Sequence, residues 1–317
     1  MNSKEVQEKG AKIIENIGKV IVGKEETVRL LVTALLAGGH VLLEDVPGTG
    51  KTKLAKTLAA TLGGKFSRIQ FTPDLLPGDV TGINVYNRKS GEFELRRGPV
   101  FANVLLADEI NRATPRTQSG LLECMEERQV TIDGVSYPLS GTFFVIATQN
   151  PVETAGTFPL PEAQLDRFMM KLSVGFPSFE EEVSILQRFG REDPYESLKA
   201  VVLEEELSKM REVVKEVFIH GEMEKYIVAL VSATRKKDKV ILGASPRAAI
   251  ALMRSVKAYA ALMGREYCIP DDVKALAPWV LGHRLLLSYG SGKSREAEGL
   301  VQEILETVQV PTEDFGR

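Results

Sequence analysis

The sequence has few of the residues that build disulfide frameworks or metal centres. Among its 317 residues there are only two cysteines, Cys124 and Cys268, and three scattered histidines, His40, His220 and His283. Two distant cysteines form neither a disulfide framework nor the paired spacing of a zinc site. Their scarcity favours a reducing compartment.

Long apolar runs and a strong excess of one charge are missing as well. No apolar run approaches the roughly 18 residues that a membrane-spanning helix requires. The N-terminal segment is charged throughout, whereas a secretory signal has an apolar centre, so we expect a cytoplasmic protein without a membrane span. A net charge of -3 lacks the basic excess that nucleic-acid-binding proteins usually carry. Nucleic acid is therefore not the expected partner.

The residues that are present predict a folded chain of two domains. Hydrophobic residues make up 44% and charged residues 26%, as in ordinary globular proteins. Short apolar runs, separated by segments of helical periodicity, predict buried strands at 40–45, 66–71, 102–108, 142–148 and 169–174. Strands alternating with helices predict an α/β fold with a parallel sheet. Later segments are charged and helical, so we predict a first domain over 1–177 and a smaller helical domain over 178–317.

Two segments depart from this alternation, and we interpret them as inserted hairpins. At about 83–95, apolar and polar residues alternate on both sides of a Ser-Gly pair. At about 128–139, two β-rich arms flank Asp133-Gly134, a strong signal for a two-residue turn. The first insertion carries Tyr86 and Phe93, which either contact a partner or support the hairpin itself.

The segment EDVPGTGKT, residues 44–52, has the features of a phosphate-binding loop. It follows a predicted strand and precedes a predicted helix, as such a loop requires. Its glycines let backbone N–H groups turn toward phosphate, Lys51 would bind the β- and γ-phosphates, and Thr52 would bind Mg²⁺. The expected nucleotide contacts are Pro47, Gly48, Thr49, Gly50, Lys51, Thr52 and Leu54. The strict pattern has glycine where this chain has Asp45, and a glycine-rich surface turn is the alternative interpretation.

An acidic pair, Asp108-Glu109, ends the predicted strand at 102–108. Ligands bind at the carboxyl ends of strands in open α/β folds. Asp108 would hold Mg²⁺, mostly through water, and Glu109 would orient and deprotonate an attacking water. The alternative interpretation is that Asp108 and Glu109 are a solvated strand end without a ligand. The phosphate-binding loop earlier in the chain favours the metal and catalytic interpretation.

Three further polar residues fit a nucleotide-hydrolysing site. Asn150 follows another strand and could hold the water or contact the γ-phosphate, although Asn-Pro is also a turn signal. Arg167 could stabilise transition-state charge on a neighbouring subunit's nucleotide, or it could form a local pair with Asp166. Arg247 lies in the first turn of a helix that begins after Ser245, where the helix dipole disfavours a cation. An anion such as ATP phosphate is therefore expected near Arg247, and a solvated arginine is the alternative.

In this order the motifs resemble those of AAA+ ATPases. The longer sequence segments around these motifs resemble those of the MoxR family: RIQFTPDLLPGDVTG (68–82), GPVFANVLLADEINRATPRTQSGLLECMEE (98–127), FPLPEAQLDRFMMKL (158–172) and HRL (283–285). The resemblance covers nearly the whole chain. It identifies Asn150 with sensor 1, Arg167 with the arginine finger and Arg247 with sensor 2.

The resemblance implies a P-loop core with a five-stranded parallel sheet, a smaller all-α lid and a ring of subunits, usually a hexamer. MgATP would be hydrolysed at the subunit interfaces. The insertions at about 83–95 and 128–139 would be hairpins, of a kind that faces the ring pore in relatives. A chaperone-like function in remodelling or in cofactor or metal insertion is implied, with a partner that carries a von Willebrand factor A domain and with an unidentified protein client.

Two other functions are compatible with the same motifs. A magnesium-chelatase-like or DNA-acting motor is suggested by basic residues around the first insertion: Arg88, Lys89, Arg96 and Arg97. The overall acidic balance opposes DNA binding, and charge clusters are usually solvated. A slow nucleotide-gated binding module is suggested only by Asp45, and the intact pair Asp108-Glu109 opposes it.

Overall fold

The structure alternates strands and helices in its first half and is mostly helical in its second. The computed structural model describes residues 1–151, 156–190, 192–288 and 294–312. The helices are α1 (Ser3–Gly18), α2 (Glu25–Leu36), α3 (Lys51–Thr61), α4 (Pro77–Thr81), α5 (Pro115–Glu127), α6 (Glu162–Leu165), α7 (Phe179–Phe189), α8 (Glu204–Glu216), α9 (Gly221–Thr234), α10 (Pro246–Leu262), α11 (Pro270–Leu281) and α12 (Ser294–Thr307). The strands are β1 (Val41–Glu44), β2 (Phe66–Gln70), β3 (Gly82–Asn87), β4 (Glu92–Arg97), β5 (Val104–Asp108), β6 (Gln129–Ile132), β7 (Val135–Pro138), β8 (Phe144–Gln149), β9 (Met170–Leu172), β10 (Val240–Leu242) and β11 (Leu286–Leu287). Short 3₁₀ helices cover Ile110–Arg112 and Gly282–Arg284.

Five strands form one parallel sheet in the order β2-β5-β8-β1-β9. The five apolar runs of the sequence all become its strands, which confirms the predicted fold class. β5 is buried along its whole length, because β2 and β8 pair with it on either side and helices cover the sheet. Since the strands are parallel, their carboxyl ends meet at one edge of the sheet.

Apolar side chains pack on both faces of this sheet. Successive residues of a strand face opposite sides, so Val41 and Leu43 join one core while Leu42 joins the other. The first core continues through α1 and α2 into the helices that follow residue 178. Gly10 of α1 packs so closely on Leu262 of α10 that a side chain at that position would clash. The two predicted domains therefore share one apolar core.

The two predicted insertions are hairpins. β3 pairs with β4, and β6 pairs with β7, both antiparallel. Asp133 and Gly134 both have positive φ, at 49° and 80°, as the short turn between β6 and β7 requires. The side-chain amide of Asn84 donates to Asp133 at 2.8 Å, which ties the hairpins together.

Among the residues described after 178, the second half consists of helices joined by loops, together with one short antiparallel strand pair, β10 with β11. Ser245 caps α10 by accepting the N–H of Ala248, and Pro246 takes the first helical position, as the sequence predicts. In the described part of the chain, no helix is both long enough and apolar enough to cross a bilayer.

A buried ion pair fastens the second half to the sheet. The Arg284 guanidinium donates to the Asp166 carboxylate at 2.7 Å and to the carbonyl of Phe168 at 2.7 Å. The Ser245 hydroxyl donates to the other Asp166 oxygen at 2.9 Å. Asp166 thus joins the end of the sheet to the start of α10 and to the 3₁₀ turn after α11.

Replacing Arg284 with methionine should therefore destabilise the protein. The Arg284 side chain is 2% exposed, and removing one partner of a buried pair leaves the other charge uncompensated at a cost of about 3–5 kcal/mol. The measurement is the free energy of unfolding from urea titration of the nucleotide-free protein. Lys274→Met is the matched control, because Lys274 pairs with Asp271 at the surface and should lose less than about 1 kcal/mol. Equal losses in both variants would contradict the anchoring function of Arg284.

Candidate nucleotide-binding site

The predicted phosphate-binding loop joins β1 to α3 and lines a cavity of about 480 Å³. Gly48 and Gly50 have φ values of 89° and 87°, and an added Cβ at either would meet no atom within 4 Å. Backbone conformation rather than space thus requires glycine at these positions. The loop ends on the first residue of α3, so the N-terminus of a helix closes the cavity, as anion-binding loops favour.

Lys51 lies inside this loop. Its ammonium group donates to the carbonyl oxygens of Asp45 at 3.0 Å and Val46 at 2.8 Å. Burial lowers the pKa of Lys51, and the carboxylates of Asp45, Asp108 and Glu109 oppose this change. A phosphate entering the cavity would exchange carbonyl contacts of the ammonium for stronger charge-assisted ones.

Asp45, the residue that departs from the strict loop pattern, anchors the loop to the rest of the sheet. Its side chain is buried and accepts hydrogen bonds from the Ser173 hydroxyl at 2.7 Å and from the N–H groups of Val174 at 2.6 Å and Gly175 at 3.0 Å. A glycine could supply none of these acceptors. Asp45 therefore connects the loop to the segment that leads from β9 toward α7.

Asp108 ends β5 in the same cavity. One carboxylate oxygen accepts from the Thr148 hydroxyl at 2.7 Å, and the other accepts from the Arg68 guanidinium at 2.6 and 3.1 Å. Together with the Thr52 hydroxyl, Asp108 provides hard oxygen donors beside a phosphate-binding loop, and such donors suit Mg²⁺. Magnesium would replace Arg68 as the positive charge beside this carboxylate.

Glu109 has a backbone conformation that non-glycine residues seldom adopt, with φ at 55°. Its N–H donates to the Thr148 hydroxyl at 2.8 Å. Its carboxylate accepts from the Gln70 amide at 2.7 Å and from Arg112 at 3.0 Å. Such an outlier is expected where a side chain must be aimed into a site. The strain directs Glu109 into the cavity beside the loop.

Sequence reasoning missed three of these residues: Arg68, Gln70 and Thr148. Arg68 and Gln70 are two residues apart on β2 and therefore lie on the same face of the strand. Gln70 pairs with Asp108 in the strand register. Only the order of the strands brings β2 beside β5. Thr148 is the last residue of the strand predicted at 142–148, but its position between the two carboxylates depends on the pairing of β5 with β8.

The cavity brings together most of the expected site residues. Asn150 lines it with the loop, Asp108 and Glu109. Leu54 is placed elsewhere, because α3 turns its side chain into the apolar core, where it is fully buried. The two arginines also lie outside this cavity.

Arg167 and Arg247 meet on a single carboxylate, that of Glu126. Arg167 contacts one oxygen at 3.1 Å and Arg247 the other at 2.6 Å, in a separate cavity of about 230 Å³. The anion expected near Arg247 is thus a carboxylate of α5, because α10 begins beside that helix and not beside the loop of the same chain. The alternative pairing of Arg167 with Asp166 does not form, since Asp166 bonds to Arg284.

Comparison with known proteins agrees with this geometry. The family described as "ATPase family associated with various cellular activities (AAA)" matches residues 40–170, and "AAA lid domain" matches residues 232–307. Chaperone MoxR1 of Mycobacterium tuberculosis is 44% identical over 94% of this chain and 81% of its own length. Protein MoxR of Methylorubrum extorquens is 31% identical over 95% of each chain. The chain belongs to the MoxR family of AAA+ ATPases.

Two further similarities cover nearly the whole chain. An uncharacterised protein of Bacillus subtilis, YeaC, is 51% identical over 95% of both chains. A crystal structure of a candidate ATPase from Cytophaga hutchinsonii superimposes with a TM-score of 0.89 at 42% identity, covering 98% of this chain and 97% of the other. The expected MoxR fold, a five-stranded parallel core followed by a helical lid, is confirmed. The domain boundary at residue 177 stays a prediction.

Replacing Asp45 with asparagine should weaken the anchor of the loop. One acceptor oxygen becomes an amide that faces N–H or hydroxyl donors, and a buried unsatisfied donor costs about 1–3 kcal/mol. The free energy of unfolding, measured by urea titration, should fall by that amount. Asp238→Asn makes the same chemical change on an exposed residue and should have no measurable effect. A variant at Asp45 as stable as the control would contradict the anchoring function.

Proposed function

We propose that this protein is an ATPase that hydrolyses MgATP in the cavity formed by the loop 45–52, Asp108 and Glu109. The observation that carries the proposal is the position of Glu109, whose strained backbone and hydrogen bonds hold its carboxylate beside the phosphate-binding loop. A carboxylate held there can accept a proton from a water that attacks the γ-phosphate. Membership of the MoxR family supports the same activity.

Each other residue of the cavity has a distinct proposed function. Lys51 binds the β- and γ-phosphates, while Thr52 and Asp108 hold Mg²⁺, which would neutralise charge on the phosphates. Asn150 positions the attacking water or contacts the γ-phosphate. Thr148 orients both acidic residues through its hydroxyl group. Gln70 orients the Glu109 carboxylate by donating its side-chain amide to one of the two oxygens.

We infer that Arg167 and Arg247 act on the nucleotide of a neighbouring subunit in a ring, which we expect to be a hexamer. Their cavity is separate from the loop of their own chain, and Glu126 holds both guanidinium groups partly exposed to solvent. A neighbour's γ-phosphate would compete with Glu126 for these cations. Arginine supplied in this way stabilises transition-state charge in related phosphoryl transfers.

An exposed apolar face on and before α7 supports assembly with a second copy. Phe179 and Leu186 of this helix are 77% and 73% exposed, and Phe176 just before it is 66% exposed. Monomeric proteins seldom leave a large apolar stripe in water. The segment after β9 that bonds to Asp45 leads directly into this helix, so subunit contact here would be connected to the loop.

We propose a chaperone-like remodelling function for the assembled ring, acting on a protein client, in cofactor or metal insertion or in complex maturation. Its partner would carry a von Willebrand factor A domain, and its place of action would be the cytoplasm. The relative named Chaperone MoxR1 supports the chaperone-like function. Tyr86 and Phe93 support a contact surface on the first hairpin, since their rings pack 5.4 Å apart and remain 53% and 73% exposed.

Glu109→Gln tests the proposed hydrolysis. The substitution keeps the shape of the side chain and removes the proton acceptor, so ATP turnover should fall about 10²–10⁴-fold while MgATP still binds. Steady-state phosphate release and retained radiolabelled ATP measure the two effects. Glu224→Gln, on the surface of α9, should keep the parent rate. Turnover in Glu109→Gln at a third of the parent rate would refute the assignment.

Mixing two inactive variants tests the shared site. Lys51→Ala should bind no ATP, and Arg167→Ala should turn over on the order of 10³-fold more slowly than the parent. In mixed rings, some interfaces combine an intact loop with an intact arginine, so activity should reappear with a maximum at intermediate ratios. Each variant mixed with itself is the control. Mixed rings that form but stay inactive at every ratio would contradict action on a neighbour.

A further inference from the structure

A third cavity, of about 610 Å³, lies between the sheet domain and the helices that follow it, and neither the catalytic site nor the paired arginines account for it. Gly38 and Gly141 line its sheet side, and α8 and α10 line the other. Its charged lining is strongly unbalanced, with one acid, Glu212, against five cations: Arg128, Arg211, Lys215, Arg254 and Lys257.

Two of the three arginines in this cavity, Arg128 and Arg211, are bonded to carbonyl oxygens rather than to carboxylates. Arg211 donates to the carbonyls of Leu35 at 3.0 Å and Gly141 at 2.7 Å, and Arg128 donates to that of Phe143 at 3.3 Å. Over the residues that the structure describes, neither arginine has a carboxylate within ion-pair distance, nor does Arg254. The Nη2 atom of Arg211 is buried and has no hydrogen-bond partner.

The nearest acids are already engaged. Glu212 pairs with Lys215 at 2.7 Å. Glu204, whose charge also acts on Arg211, accepts hydrogen bonds from the Ser140 hydroxyl at 2.6 Å and the Thr142 hydroxyl at 3.0 Å. Neither carboxylate makes a direct contact with a guanidinium group of the cavity.

The cations also repel one another. Burial and then the charge of Arg128 lower the pKa of Arg211 to about 10, although the charge of Glu204 opposes the change. Burial and then the charge of Arg254 lower the pKa of Arg128. An anion in the cavity would relieve both their repulsion and their incomplete solvation.

Capping of α2 explains only part of this arrangement. Cations are favoured near the C-terminus of a helix, and Arg128 and Arg211 bond to carbonyls of Gly38 and Leu35 at the end of α2. Capping of α2 does not explain Arg254, which comes from α10, and Lys257 of α10 instead donates to the carbonyl of Lys215 in the last turn of α8 at 3.0 Å. Capping also leaves the buried Nη2 atom of Arg211 without a partner.

We propose that this cavity binds a small oxyanion with two or more negative charges, of the class represented by pyrophosphate and phosphorylated metabolites. Guanidinium groups match the spacing of phosphate oxygens. A single carboxylate would leave most of the positive charge uncompensated. The volume lies within the range of about 300–1,000 Å³ that small-molecule sites occupy. Arg128 and Arg254 also line the cavity of Arg167 and Arg247, so a bound anion would lie next to the pair that we assign to the neighbour's nucleotide.

The test measures binding of radiolabelled pyrophosphate to the protein by equilibrium dialysis. The phosphate-binding loop is first saturated with MgADP, and free Mg²⁺ is then removed. Saturable binding is expected in the parent. The double substitution Arg254→Ala with Lys257→Ala should weaken binding at least tenfold, because both side chains line the cavity from α10 without supporting the core.

Lys209→Ala is the matched control, since it removes one exposed positive charge from α8 outside the cavity. Its affinity for pyrophosphate should stay within twofold of the parent value. The proposal is overturned by absence of saturable binding in the ADP-saturated parent, by parent-like affinity in the double variant, or by an equal loss in Lys209→Ala. Because the loop is occupied throughout, none of these outcomes bears on ATP hydrolysis.

Discussion

Parallel pairing of five short, buried strands is the constraint on which the site depends. Parallel strands end at the same edge of a sheet, so the polar residues that follow β1, β5 and β8 meet there although they are far apart in sequence. The Thr148 hydroxyl makes this convergence specific, because it donates to Asp108 and accepts the N–H of Glu109. Loss of the pairing between β5 and β8 would separate Thr148 from both acidic residues.

In each part of the site, a charged residue is paired with an opposite charge from the same chain. A ligand with the same charge as that partner could take its place. Arg68 lies on Asp108, where a magnesium ion would supply the positive charge. Glu126 lies on Arg167 and Arg247, where a phosphate would supply the negative charge. Partly exposed ion pairs of this kind are weak. Exchange for a doubly charged ligand is therefore feasible without unfolding any element.

Two carboxylates, the buried Asp45 and the partly buried Asp166, connect segments that are far apart in sequence. Asp45 accepts hydrogen bonds from the segment after β9, which leads into α7. Asp166 joins the end of the sheet to α10 and to the turn after α11. The shared core between α1 and α10 fixes the two halves against each other. A displacement of the loop on nucleotide binding would be transmitted through Asp45 first, since that residue is part of the loop and is hydrogen-bonded to the segment after β9.

The sequence by itself determined the strands, the loop, the acidic pair and both hairpins, because each depends on local patterns. Apolar runs predict strands, glycine positions predict a phosphate-binding loop, and Asp133-Gly134 predicts a turn. The tertiary structure decided which distant residues meet. Strand order alone brings Arg68 and Gln70 to the acidic pair, and helix packing alone brings Arg247 to Glu126 rather than to the loop of its own chain. The structural use of Asp45 and the basic cavity between the two halves also depend on contacts across more than a hundred residues, such as those of Asp45 with Val174 and of Arg211 with Leu35, which no local pattern encodes.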